Sequence, residues 1–597
     1  MEDQNKNLLL ATVLSVAVIG IWFVLFPPEA PQMAEDDTTI SQPAASATNT
    51  LSTDEVPAPT APIRAQALSD APRIAIETDR LSGSLSTLGG RIDDLQLKDY
   101  RTVNDPNAPI VTLLSPENTD GAYYGTHGWA AAVGMDPNDF PNESTQWSAD
   151  EGATLTTQSP VTLTWTNAKG SVFTKTISID ADYMFSIDQS VTNNSDTDMA
   201  AASFGRIART GLPEDLKNFF ILHEGLIYMA DGENRDTNYD DMPDYDRDPR
   251  ENALAERIDV EKNAWIGFTD HYWMTTLIPS NPHKVVGKYD PNRDVYEALA
   301  VDKVQVIAAG QTLNSSSRFF AGAKEWEAIR NYQDNDGIER FLNSIDWGMF
   351  YFLTKPIFAV LHWLNALIGN MGVAIIVLTL IIKAVLLPLA YKSYVSMARM
   401  KELQPEMEKL KESAGDDREK MQKGMMELYK KNKVNPASGC LPILMQIPIF
   451  FSLYKVIFVT LELRHAPFFG PFQDLSAPDP TSFFNLFGLL PWAAPAPETI
   501  MALVFIGILP LLLGISMWVQ QKLNPAPTDK TQAMIFAWMP WVFMFMLGSF
   551  ASGLVVYWIA NNTITFTQQF LIMRSQGVTP DVFGNIRSSF KREKKSD

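Results

Sequence analysis

Apolar residues change their spacing twice along the chain, and each change marks a different kind of element. Residues 7–26, "NLLLATVLSVAVIGIWFVLF", carry no charge, and a run of about 20 such residues matches a helix crossing a hydrocarbon core about 30 Å thick. No small-x-small cleavage pattern follows, only "PPEAPQ", so 1–26 is expected to be a retained N-terminal transmembrane anchor. Residues 27–72 are rich in Pro, Ala, Ser, Thr and acid ("EDDTTISQPAASATNT"), too poor in large apolar side chains to form a core, and predict a disordered linker. From 73 to 322 the period shortens to two, as in "RIAIET", "RIDDLQLKDY" and "SVFTKTISI", with Gly, Pro, Asn and Asp between the runs. That alternation predicts an antiparallel β-sandwich.

The helical period returns at 323. Residues 323–370 predict amphipathic or interfacial helices, with Trp347, Tyr351 and Trp363 suited to a membrane boundary. Apolar spans are expected at 371–390, 440–463, 499–521, 533–550 and 553–573, six with the first segment. Residues 391–439 predict a helical hairpin whose seam carries Met400, Leu403, Met407 and Leu410 on one helix and Met421, Met425 and Leu428 on the other, spaced three or four residues apart. Residues 464–498 form a loop and 574–597 a basic tail. The fold class is thus a polytopic α-helical membrane protein with an extramembrane antiparallel β-domain.

Charge orients this architecture. Residues 1–340 hold 25 Lys/Arg against 52 Asp/Glu, and residues 341–597 hold 23 against 17. The hairpin has 11 Lys/Arg and the end of the tail, "RSSFKREKKSD", five, whereas 464–498 has one. By the positive-inside rule the hairpin, the tail and both termini are cytoplasmic, and the β-domain lies outside, in the periplasm of a cell with two membranes. One cysteine, Cys440, excludes an internal disulfide or a Cys-based zinc cluster, and no P-loop, GxSxG or HExxH occurs. The acidic stretch "DGENRDTNYDDMPDYDRDPRE" lacks EF-hand spacing and reads as a solvated loop. No cofactor is expected.

The candidate chemistry is Lys383 in "LTLIIKAVLLPLAYKSY". A charge at mid-span costs roughly 2.5–3.5 kcal/mol and usually faces a wet cavity or a partner. Tyr391 stands eight residues further on, about 12 Å by helical rise, beyond the reach of a snorkelling lysine. Asp and Glu are absent from the centres of the spans, so Lys383 is expected to meet water, neutral polar groups or a passing chain. Thr379 lies one turn away, and Gln446, Asn561 and Asn562 lie at suitable depth, which suggests a polar pocket in the cytoplasmic half of the membrane. Pro388, Pro442, Pro448, Pro510 and Pro540 are expected to kink or end helices around it. Ile447, Phe450, Phe451, Met544, Tyr557 and Trp558 are expected to form a lipid-facing wall.

Two other functions fit parts of the pattern. A secondary transporter would use Lys383 as its ion or substrate site, but the spans show no internal repeat. A carbohydrate enzyme or binding module would rest on the β-domain, where His223 and Glu224 in "FILHEGLIYM" would point to opposite faces of a strand.

The stretches "LIIKAVLLPLAYKSYVSMARMKELQPEMEKLKE", "LYKKNKVNPASGCLPILMQIPIFFSLYKV", "LRHAPF", "DLSAPDP" and "SGLVVYWIANNTITFTQQFLI", in this order after an anchor and a β-domain, resemble the YidC family of bacterial membrane-protein insertases. The resemblance implies a five-helix insertase core forming a groove open to cytoplasm and lipid, and a periplasmic β-supersandwich similar to sugar-mutarotase folds. It implies that Lys383 is the groove cation, with Thr379 near it, that Gln446 and Asn561 line the groove, and that Tyr557 and Trp558 contact substrate spans. It implies as partners nascent membrane proteins, the Sec translocon, the ribosome and signal-recognition-particle pathway, and lipids, with a monomer as functional unit. Many members resembling this chain carry Arg where it has Lys383, and Lys lacks the planar fork for bidentate carboxylate recognition.

Overall fold

The computed structural model describes residues 64–578, except 70, 218–221, 416, 433, 435–440, 493, 496–498, 500, 502–503 and 525–529, and leaves out the side chains of 418, 441–443 and 530–533. The anchor, most of the linker and most of the basic tail lie outside the described residues. After a short helical turn, Arg64–Ala67, the chain enters two packed sheets of twelve and eight strands. Centrally the larger joins Val295–Asp302, Met199–Thr210, Tyr123–Ala131 and Arg91–Arg101, and the smaller joins Ala264–Thr269, Trp273–Pro279, Thr312–Ala323 and Met184–Thr192. Pairing is antiparallel apart from Arg73–Glu77 with Thr154–Leu155.

The period-two pattern translates directly into this sandwich. Val172–Ile179 alternates half-buried and buried positions, so Phe173, Lys175, Ile177 and Ile179 face inward. Phe185, Phe319 and Leu277 fill the space between the sheets, while Phe320 points to the other face onto Tyr332 and Phe341. Ala264–Thr269 is buried at every position. The chain after the sandwich covers it: Trp265 Nε1 donates to Glu339 O at 2.9 Å and the indole meets Phe341 edge-on.

Helix α1, Trp326–Asp334, lies on the sandwich, with Tyr332 donating to Asp180 at 2.7 Å. Helix α2, Tyr351–Ile368, is the one described helix long and apolar enough by itself to cross a bilayer. It buries Thr354, Phe358, Leu361 and Leu364 and exposes Tyr351, Phe352, Trp363 and Leu367. Gly369 ends it at φ 72°, and Asn370 opens α3, Met371–Val385, by accepting the Val373 N–H at 3.0 Å. The expected span 371–390 is not straight: α3 and α4, Leu387–Glu402, meet at a 69° bend around Leu386.

The hairpin follows as α5, Gln404–Ala414, and α6, Arg418–Lys431. Met407 is buried with Leu403 and Val434, and Met400, Met425 and Leu428 pack on them, while Met421 stays outside this cluster. Then come α7, Leu441–Val459, α8, Ile508–Gln521, α9, Lys530–Met546, and α10, Ser552–Ser575. Helix α10 packs against α3, α4, α7 and α8. Helix α8 begins later than 499, because Thr481 Oγ1 and Asp479 Oδ2 accept the N–H groups of Ile508 and Leu509 and fix its start there.

Candidate functional site

Three helices converge on the cation. Lys383, in the last turn of α3, donates through Nζ to Gln446 Oε1 on α7 at 3.0 Å. The same carboxamide donates through Nε2 to the Tyr557 hydroxyl on α10 at 2.5 Å. Lys383 is half-buried and Tyr557 is buried. Among the described residues the ammonium meets a neutral acceptor and no carboxylate.

Helix α10 extends this polarity as a seam. Tyr557, Asn561, Thr565 and Gln569 follow at four-residue spacing and are all buried, so one helix face is polar inside the bundle. Asn562 donates to Ser516 on α8 at 3.0 Å, Gln569 to Asn524 at 3.1 Å, and Gln568 to the Lys383 carbonyl at 3.3 Å. Asn561 Oδ1 and Thr565 Oγ1 have no hydrogen-bond partner among the described residues. Thr379 is buried nearby, but its hydroxyl donates to Ile375 O on its own helix at 2.7 Å rather than to the Lys383 group.

The apolar side differs in part from expectation. Ile447 is exposed, Phe450 and Phe451 are half-buried, and Phe450 lies 5.1 Å from the half-buried Trp558 ring. Met544 and Tyr557 are buried instead. Gly514 brings α8 so close that Met544 packs there, with Sδ 2.9 Å from the position a Cβ would take, and Tyr557 turns inward to Gln446. Among the prolines, Pro448 and Pro540 lie within α7 and α9. Pro510 lies in the first turn of α8, where the missing N–H costs no intrahelical bond, so it helps start that helix rather than kink it. Pro388 lies in the first turn of α4, just past the 69° bend, and Pro442 is the second described residue of α7.

A second lysine within an expected span, Lys455, was not singled out from the sequence. Lys455 on α7 pairs with Asp346 at 2.5 Å, and the same carboxylate accepts the His223 N–H of the β-domain at 3.0 Å. The signal was present as "FFSLYKV", but the partner lies 109 residues away. Around this pair His271 Nε2 lies 2.7 Å from Phe458 O, and Arg464 donates to Arg101 O beside Tyr272 and Trp273. The β-domain is therefore joined to α7 by buried polar contacts. His223 and Glu224, expected on opposite faces of a strand, are both buried before the strand Gly225–Ala230. There His223 binds Asn238 and Leu226 O, and Glu224 accepts the Lys217 N–H.

Comparison with known proteins covers both halves. Residues 363–578 match the family described as 60Kd inner membrane protein, and residues 73–360 match the YidC periplasmic domain. A protein of Roseobacter denitrificans named Membrane protein insertase YidC is 64% identical over 609 residues, spanning 100% of both chains. One of Dinoroseobacter shibae with the same name is 62% identical over 605 residues, again 100% of each. A solved active YidC insertase with its first transmembrane domain resolved aligns at 16% identity and a TM-score of 0.33, over 83% of this chain and 91% of that one.

Proposed function

The chain belongs to the YidC family of membrane protein insertases, and from that premise we propose how its own residues insert a nascent membrane protein. It is an inner-membrane insertase, and its task moves a chain between environments without covalent chemistry. The polar seam of Lys383, Gln446, Tyr557 and Asn561, with Thr379 at its edge, is a hydrated groove facing the cytoplasm. A polar flank of the incoming chain enters there, which shortens the apolar path it must cross. Its hydrophobic segment meanwhile slides past Ile447, Phe450 and Trp558 into lipid, driven by apolar burial worth about 25 cal/mol per Å².

The observation that carries this reading is the Lys383–Gln446–Tyr557 relay. Gln446 uses its one oxygen on the ammonium, while lysine has three donors, so the cation keeps capacity for a transient guest. A compact ammonium suits a diffuse attraction to acidic or polar flanks better than a fixed clamp. The remaining arrangement follows the charge pattern: six spans, termini and hairpin in the cytoplasm, and the β-domain in the periplasm. The basic hairpin faces the ribosome and the signal-recognition-particle pathway, and the β-domain lies on the side where the Sec translocon is met.

Reconstitution into liposomes with a short Sec-independent substrate tests the proposal. The protein is expected to insert it well above empty liposomes. Lys383→Leu slows insertion roughly tenfold, equivalent to about 1.4 kcal/mol, and Lys383→Arg retains it. Insertion no better than empty liposomes overturns the reading.

A further inference from the structure

Helix α8 has 14 residues, which at 1.5 Å each reach about 21 Å, roughly 9 Å short of a hydrocarbon core about 30 Å thick. The segment before it has the character to fill that gap. Between Asp479 and Glu498 the sequence carries no charge. Phe483, Phe484, Leu486, Leu489 and Trp492 are all exposed, Leu489 to 85%. The loop is tied to the α8 start, with Phe483 N donating to Ile506 O at 3.0 Å and Ser482 Oγ to Phe505 O at 2.6 Å.

Its backbone is largely self-satisfied, the condition for irregular chain to sit in lipid. The N–H groups of Asn485 and Phe487 donate to Ser482 O, that of Leu490 to Asn485 O, and that of Gly488 to the Asn485 side chain. The Asn485 amide donates to Trp492 O, and Trp492 Nε1 to Phe484 O. Leu486 and Phe487 adopt φ of 49° and 60°, a conformation bulky side chains rarely take. A water-exposed loop has no reason to hold apolar side chains out in so constrained a turn.

We infer that 483–492 is a membrane-seated loop that embeds Phe483, Leu489 and Trp492 in the acyl chains of the extracytoplasmic leaflet and completes the short span of α8. The inference rests on α8 being a membrane span. The loop holds the α8 N-terminus at depth, and with it the Ser516 contact to the α10 seam.

Site-directed spin labelling tests it. The one cysteine, Cys440, is replaced by serine, and single nitroxides are placed by Leu489→Cys, by Leu512→Cys on the exposed side of α8, and by Val133→Cys on a fully exposed β-domain turn. In phosphatidylcholine vesicles, labels at 489 and 512 are expected to collide with oxygen in several-fold preference to a water-soluble nickel chelate, relative to the label at 133. Nickel access at 489 equal to that at 133, with 512 still in lipid, overturns the loop alone. Nickel access at 512 overturns the span beneath it as well. A label at 489 shielded from both reagents overturns lipid seating in favour of a protein contact.

Discussion

Lys383 was legible because a charge inside an apolar run has few destinations, and the absence of carboxylates at that depth left a neutral partner. Gln446 is that partner, at 3.0 Å. The Gln446 bond to Tyr557 was not legible, because a tyrosine in "VVYWIA" reads equally as wall or as interior. Asn561 and Asn562 were recognised but Thr565 and Gln569 were not, although their spacing continues the same face. At this scale the β-domain carries its own pH dependence. Burial, with the Lys175 charge beside it, lowers the His127 pKa from the usual histidine value to about 3. The folded protein therefore holds His127 neutral while the unfolded chain protonates it, so stability is full above about pH 6.5 and is lost as pH falls toward 3, by up to several kcal/mol. Denaturant titrations between pH 7 and 4 are expected to show that loss, and His127→Leu to reduce its slope. His271, also lowered to about 3 by burial against the Phe458 carbonyl's opposing pull, accounts for part of the slope that remains.

Among elements, the best-read were those whose ends carry local chemistry. The Gly369–Asn370 pair ends one helix and caps the next within two residues. The bend at Leu386 was only half legible: Pro388 announced an interruption, but its 69° size depends on α4 packing against α10. Proline lacks the N–H that would bond back to residue 384, and its ring crowds that carbonyl. Pro388→Ala is expected to let α3 run into α4 and narrow the bend, measured as a lengthened distance between spin labels at exposed Leu380 and half-buried Val395 in the Cys440→Ser background. An unchanged distance places the bend in the packing alone. The start of α8 could not be read from its own residues, because its cap comes from Asp479 and Thr481 far upstream.

For the whole molecule, composition separated an acidic part from a mildly basic one, and residues 73–360 and 363–578 match two different family models. What composition hid is the joint between them. Asp346 is half-buried, and its desolvation alone would raise its pKa, but Lys455 and the His223 N–H reverse this and hold the carboxyl below its ordinary value. Its contribution is present above the unfolded carboxylate pKa of about 3.9 and is lost as pH falls through the lower folded value. Asp346→Ala leaves Lys455 without that counter-ion and is expected to destabilise the protein by about 3–5 kcal/mol, whereas Asp346→Leu with Lys455→Met recovers most of the loss. Thermal unfolding of the two variants beside the unaltered protein in detergent checks both. The groove itself is tested most directly by a photoreactive lysine analogue at position 383, facing ribosome-bound membrane-protein chains of stepwise length. Crosslinks are expected to the polar flank of the incoming chain, at lengths where its apolar segment reaches the membrane. Crosslinks confined to lipid or to the protein's own helices at every length would contradict the groove.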